Sequence, residues 1–240
     1  LTRKMTAKTS MPKNKTLADF EAMTQDAKIL EQESTNAKVL QLPDKRVVKL
    51  FRRKRLISSQ IWAPHAWRFC RNAHILKERG IPTVKVESHF EIREIRRHAV
   101  VYQRIEGTTL RDWMVRREES EQIGMIAKLG IFIAQIHEVG ILFRSLHFGN
   151  IIVMEDGELA LIDIVDMSFR YRGSLTVGQR IRNFHHMNRY DSDRAELAAN
   201  IGEGFIEHYL KNSKLSTKQK PRVEKGFSNI FRKYSVKAHV

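Results

Sequence analysis

The chain has 240 residues and 42% hydrophobic content, enough for a sizeable core in one two-lobed domain or two small ones. No run of about 18 apolar residues is present to cross a membrane, no apolar stretch follows the basic N-terminus as a secretory signal would require, and the single Cys70 excludes an internal disulfide, so the expected location is the cytoplasm or the cytosolic face of a membrane. The net charge of +16 sits largely at the ends: residues 1–15 hold five Lys or Arg and no acid, and residues 211–240 hold nine against Glu224 alone.

Residues 1–25 read as a basic leader. Lys28-Ile29-Leu30, Lys38 to Leu42 and Arg46 to Phe51 follow, the last two joined by Pro43-Asp44-Lys45, which predicts an antiparallel meander. Pro64 suits a first helical position. The stripe Ala66, Phe69, Ala73, Leu76 predicts one amphipathic helix that stops at Gly80. Val84 to Val86 and the alternating stretch Glu91 to Tyr102 predict two further strands. Gly107-Thr108-Thr109 opens a short helix through Trp113 with a Thr cap. A longer helix covers Glu121 to Glu138, with Ile123, Ile126, Gly130, Ile133 and His137 on one face. Residues 193–210 read as helical. Strands come first and helices later, which predicts an α+β protein with an antiparallel sheet lobe over 26–103, a mainly helical lobe over 104–210 and a basic tail over 211–240.

The densest chemical signal is Phe143-Arg144-Ser145-Leu146-His147-Phe148-Gly149-Asn150, followed by Ile151 to Val153, the turn Glu155-Asp156-Gly157, and Leu159 to Asp163. Two apolar strands around an Asp-Gly turn predict a hairpin, which brings the Asn150 amide and the Asp163 carboxylate to one end. Both are hard oxygen ligands suited to Mg²⁺ on a nucleotide's phosphates. Upstream, Lys49 is a lone cation in the apolar strand Val47-Val48-Lys49-Leu50-Phe51, where a phosphate-holding lysine is expected.

Five segments occur in kinase order: Val48 to Arg52, Arg71-Asn72-Ala73 with Gly80-Ile81-Pro82, Gly107 to Leu110, Ser145-Leu146-His147-(x)₂-Asn150, and Leu161-Ile162-Asp163. Together they resemble the bacterial lipopolysaccharide core kinases, the heptose and Kdo kinase group, and most closely the branch labelled toluene-tolerance proteins. The resemblance covers about residues 28–190. It implies a two-lobed protein-kinase-like fold, ATP with Mg²⁺ as cofactors, and a sugar hydroxyl of the lipopolysaccharide inner core as acceptor. Carried over by position, Lys49 holds the α- and β-phosphates, Asn150 and Asp163 the metal, and residues 101–106, with Tyr102, Gln103 and Arg104, the adenine. The chain departs from the pattern in three places. Residues 31–38 contain no glycine to press backbone onto phosphates. Asn72 replaces the helix Glu that pairs with the lysine, with Glu78 as a possible substitute. Ser145 replaces the catalytic Asp. These departures keep a second reading open, a pseudokinase-like binding module.

Arg144, Arg180 and Arg182 are the candidate acceptor-binding residues, because Arg forks grip phosphate. Residues 168–190 hold five arginines and no acid, and residues 45–55 hold seven Lys or Arg. His147 reads as a brace for its loop, Asp166 as a helix cap, and His185-His186 as packing or surface residues without metal-site spacing. The expected partners are lipopolysaccharide core or another anionic glycolipid, and anionic inner-leaflet lipid for the basic ends. Nucleic acid is a weaker expectation, since no recognition motif accompanies the charge.

Overall fold

The computed structural model describes residues 13–33, 36–52, 64–198 and 201–235. The chain is α+β and divides into two compact units, Leu1–Ile105 and Glu106–Val240.

The first unit is built on one six-stranded sheet. Its strands are β1 (Lys13–Asn14), β2 (Lys28–Glu33), β3 (Asn36–Gln41), β4 (Arg46–Arg52), β5 (Lys85–Ile92) and β6 (Arg97–Gln103), in the order β1-β5-β6-β4-β3-β2. All neighbours are antiparallel except β1 on β5. The meander forms as the apolar alternation predicts. In the β3–β4 turn, Asp44 accepts from the Arg46 amide at 3.1 Å, an Asx turn that leaves Lys45 at φ 67. Side chains alternate across β4. Val48 and Leu50 join Phe20, Leu40, Leu42, Phe90, Ile92, Ala99 and Val101 in the core on one face. Lys49 and Phe51 lie on the other face with Phe69 of α2 (His65–Glu78).

Two expectations fail in this unit. Residues 13–25 of the presumed leader are structured: α1 (Leu17–Thr24) starts with a Thr16–Asp19 capping box and buries Phe20 in the core. The leader's first twelve residues fall outside the described part. The alternating stretch from Glu91 to Tyr102 is two strands, not one. A turn at Arg93 to Arg96 separates β5 from β6, with Arg96 at φ 51, and no Gly, Pro or Asn marks it in the sequence.

The second unit is mainly helical, with α3 (Leu110–Val115), α4 (Glu119–Glu138), α5 (Val177–Met187), α6 (Asp191–Ala198), α7 (Ile201–Lys211) and α8 (Lys220–Ser235). Two small sheets interrupt it. One is β7 (Thr108–Thr109), β9 (Ile151–Val153) and β10 (Leu159–Leu161); the other pairs β8 (Ile141–Phe143) with β11 (Met167–Phe169). Helix α4 is the core element and buries Met125, Ile126, Leu129, Phe132, Ile133 and Ile136. Ile123, expected on that face, is half-exposed. Helix α4 lies against α7 at Gly130, where an added Cβ would meet the Phe205 carbonyl oxygen at 2.3 Å. Gly107 is equally constrained, with φ 141 and the Val153 oxygen 2.2 Å from a built Cβ.

The presumed basic tail is also corrected. Helix α8 buries Val223, Phe227, Ile230 and Phe231. Phe227 stacks on Phe205 at 5.1 Å and meets Phe184 edge-on at 5.5 Å. Arg222 and Lys225 lie on the exposed face of this amphipathic helix, opposite those apolar residues.

Candidate functional site: a hairpin end and its loop

The loop between β8 and β9 carries Arg144, Ser145 and His147 and ends in a single 3₁₀ turn, Phe148–Asn150. Strands β9 and β10 pair Ile151 with Leu161 and Val153 with Leu159, and Gly157 supplies φ 78 at the turn. One step past the last pair, the Ile162 amide donates to the Asn150 carbonyl at 3.0 Å. Asn150 and Asp163 therefore leave the hairpin side by side. Asn150 is buried, and its Nδ2 donates to the Ser145 carbonyl at 2.8 Å. That bond ties the amide to the loop backbone through its nitrogen. Asp163 is half-buried and sits at φ 49, a left-handed conformation that Asp tolerates better than most residues. Such strained positions concentrate at functional sites. Two oxygen donors at one hairpin end suit a hard cation that completes its shell with phosphate and water. Among the described residues no group of three or more His, Cys, Asp or Glu gathers as a self-sufficient metal cage.

Asp193 of α6 anchors this loop, and the sequence reading missed it. It is completely buried and accepts from the Phe148 amide at 2.8 Å, from Arg111 Nε and Nη2 at 2.8 and 3.0 Å, and from Ser192 Oγ at 3.1 Å. The bidentate Arg111 pair neutralises the buried carboxylate and raises the Arg111 pKa through that hydrogen bond. Arg111 also lies over the Tyr190 ring at 4.5 Å. His147 meets the same ring edge-on at 4.7 Å. Burial lowers the His147 pKa, against an opposing pull from Asp193, so the imidazole is a neutral packing group in the loop. In sequence, Asp191-Ser192-Asp193 looks like an ordinary acidic helix start; nothing local marks the third residue as buried.

Arg180, expected at the acceptor, is withdrawn from that role because it is wholly buried. Its guanidinium donates to the Leu175 carbonyl at 2.9 Å, Tyr209 Oη at 2.8 Å and Glu138 Oε1 at 2.8 Å. Tyr209 Oη contacts His137 Nδ1 at 2.8 Å, and His137 Nε2 contacts Asn183 Oδ1 at 3.2 Å. Asn183 then brackets the Phe143 backbone, accepting from its N at 3.2 Å and donating to its O at 2.7 Å. Since Asn183 Oδ1 accepts, His137 carries its proton on Nε2 and accepts at Nδ1 from Tyr209, which itself accepts from Arg180. The chain of bonds ends on the residue that precedes Arg144.

Arg144 is exposed and pairs with Asp166 at 3.4 Å, while its amide donates to the Asp166 carbonyl at 2.9 Å. Asp166 thus closes the β8–β11 pair and caps no helix. The cap of α5 is Thr176, which accepts from the Gln179 amide at 3.3 Å. Arg182 and His185 are exposed on α5.

In the first unit Lys49 is buried, at 6% exposure. Its Nζ lies 5.9 Å from the centroids of both Phe51 and Phe69, a desolvated setting in which aromatic faces stabilise the cation. Strand register sets Lys49 between Val39 and Val100. The Tyr102 ring packs on Phe69 at 5.4 Å. Asn72 is buried on α2, and its Oδ1 accepts from Arg71 Nε and Nη2 at 3.2 and 2.9 Å. Glu78 pairs with His74 at 3.3 Å, both about half-exposed. Gln103 and Arg104 are exposed at the end of β6; Gln103 donates to Glu87 at 3.0 Å and Arg104 to Gln41 at 2.9 Å. No protein-family model matches the chain, and a search of curated proteins finds no relative.

Proposed function

We propose that the chain is an ATP-dependent phosphotransferase with a two-lobed protein-kinase-like fold, acting on a sugar hydroxyl of the lipopolysaccharide inner core. The observation that carries this reading is the hairpin end from which Asn150, its amide Nδ2 bonded to the Ser145 carbonyl, and Asp163, at φ 49, leave on neighbouring strands. In the proposal Asn150 and Asp163 hold Mg²⁺, which when bound neutralises charge on the phosphates, and Lys49 holds the α- and β-phosphates. Tyr102, Gln103 and Arg104 face the adenine. Arg144 and Arg182, both exposed, serve the acceptor; Arg180 does not. The exposed cations Lys211, Lys214, Lys218, Arg222 and Lys225 give the second unit a basic surface for an anionic membrane face. No described helix is long and apolar enough to cross a membrane, so membrane association in this proposal is peripheral, on the cytosolic side.

The test is thermal shift followed by transfer. Mg²⁺-ATP raises Tm by mass action, and Asp163→Asn removes the magnesium-dependent part. Radiolabelled γ-phosphate then appears on extracted lipopolysaccharide core. An unchanged shift in Asp163→Asn sinks the metal assignment.

A second reading, a pseudokinase-like binding module, draws on Ser145 and on Asn72, whose amide oxygen Arg71 engages. Phosphoryl transfer depends mainly on positioning and charge, and a general base contributes about 10²–10⁴-fold. On the first reading the wild type transfers slowly and Ser145→Ala costs only a small factor. Nucleotide binding without transfer, together with activity gained in Ser145→Asp, decides for the module.

A further inference from the structure

Helix α5 buries Val177, Arg180, Asn183, Phe184 and Met187 and turns a different set outward. Arg182, His185 and His186 follow at spacings of three and four, which places them on one face; Arg182 and His185 are exposed and His186 is half-buried. Arg189, exposed in the turn after α5, links this face to the loop of the candidate site. Its Nη2 donates to the Arg144 carbonyl at 3.4 Å and to His186 Nδ1 at 3.5 Å. The charges of Arg189 and Asp163 both reach His147, so the cluster borders the hairpin end. Burial first, and then the charges of Arg189, Arg182, Arg144 and His185, lower the His186 pKa from 6.5, so its ring is neutral at pH 7. An Arg only donates, so His186 accepts at Nδ1 and carries its proton on Nε2, a buried donor with no partner among the described residues. Arg144 pairs with Asp166, whereas Arg182 and Arg189 form no ion pair among the described residues. The α5 dipole favours cations in its last turn, which accounts for His185 and His186 but not for Arg144, which comes from another element.

We propose that Arg144, Arg182, His185 and Arg189 bind a phosphomonoester, and that the acceptor carries this group close to the hydroxyl that receives the γ-phosphoryl. The second half rests on the phosphotransfer reading; the first half does not. A phosphomonoester holds nearly two negative charges at pH 7 and three strong acceptor oxygens, which matches two uncompensated guanidiniums and donors arriving from two elements. A carboxylate carries one charge and is satisfied by a single Arg fork. Held by this group, the acceptor is oriented at the loop of Ser145, where no carboxylate stands to fix the attacking hydroxyl. Positioning of that kind supplies much of the rate in phosphoryl transfer.

The probes are glucose 6-phosphate, glucose 6-sulfate, glucose and inorganic phosphate, each titrated by calorimetry into the full chain at low salt. The expected result is saturable binding of glucose 6-phosphate, tighter than the singly charged sulfate ester, and none of glucose. Arg182→Gln/Arg189→Gln weakens that binding about tenfold or more and keeps the Mg²⁺-ATP thermal shift; Arg182→Gln alone gives a smaller loss. Both arginines are exposed, so an unchanged far-UV melt verifies folding of the variants. Extracted core oligosaccharide displaces glucose 6-phosphate, and treating the core with alkaline phosphatase removes the displacement. Absence of binding, or equal binding of the phosphate and sulfate esters, overturns the proposal. So does tighter binding of inorganic phosphate than of glucose 6-phosphate, which marks a free-anion site. Loss of the Mg²⁺-ATP shift in the double variant overturns it too, since the arginines then serve the nucleotide. Displacement that survives phosphatase treatment overturns the acceptor assignment. Glucose 6-phosphate binding alongside an undiminished Mg²⁺-ATP shift in Asp163→Asn counts against the metal assignment of the phosphotransfer reading and supports the phosphomonoester site.

Discussion

At Asp163 backbone and charge make separable demands. The backbone asks for a residue that accepts φ 49, which Asn does nearly as well as Asp and a β-branched residue does poorly. Asp163→Asn is therefore expected to keep the stability of the ligand-free protein while losing the magnesium-dependent shift. Asp163→Val loses that shift and a further ~1–3 kcal/mol of stability. Urea unfolding of the two variants measures the difference, and equal stabilities refute strain at this position. Arg180 and Arg182 form a similar pair, two residues apart, the first wholly buried and the second exposed. Arg180→Ala leaves Glu138, mostly buried at 12% side-chain exposure, without its guanidinium partner, and the expected loss is about 3–5 kcal/mol. Arg182→Glu, on the exposed face of the same helix, is expected to leave Tm nearly unchanged and, if the proposed function holds, to weaken binding to lipopolysaccharide. A thermal melt of each separates the two roles.

Helices and strands whose pattern is local and periodic were legible in the sequence. Helix α2 begins after Pro64 and ends before Gly80, Thr109 caps α3 and accepts from the Asp112 amide at 3.2 Å, and the β9–β10 hairpin forms around Asp156-Gly157. What stayed hidden depends on partners distant in sequence. Arg180 looked like one cation of a basic stretch because Tyr209 and Glu138, which enclose it, lie 29 and 42 residues away. Asp193 went unmarked because its partner Phe148 is 45 residues away. Helix α8 was obscured by its cations, although its apolar residues recur at 223, 227, 230 and 231. Phe227→Ala is accordingly expected to cost about 3–5 kcal/mol, a loss that a solvated tail does not suffer. At the α4–α7 crossing, Gly130→Ala gains helix propensity of about 1 kcal/mol but drives a methyl into the Phe205 carbonyl. Helices held by surrounding packing cannot separate cheaply, so net destabilisation in urea is the expected outcome, and a stabilised variant refutes the close approach.

For the molecule as a whole, histidines whose pKa burial lowers contribute to the response to acid. His137 is enclosed by Tyr209, Asn183, Phe184 and Arg180. Burial, reinforced by the nearby Arg180 charge, lowers its pKa from 6.5 to about 3. His89, His147 and His186 are lowered in the same direction, each first by burial. Below pH 6.5 the unfolded chain binds protons at these positions that the folded chain refuses, so stability must rise with pH across that window. The His137 contribution is complete above the unfolded pKa of 6.5 and is lost as pH falls toward about 3. Its slope is up to about 1.4 kcal/mol per pH unit. His137→Gln removes the titrating group. It is expected to be less stable than the wild type at pH 7.5, because bonds to Tyr209 and Asn183 are lost, yet to lose less further stability between pH 6 and pH 4. Urea unfolding of both proteins at half-unit pH steps, followed by far-UV circular dichroism, measures the two slopes. Parallel slopes would show that His137 is protonated in the fold, and the bond order from Arg180 through Tyr209 and His137 to Asn183 would then be wrong.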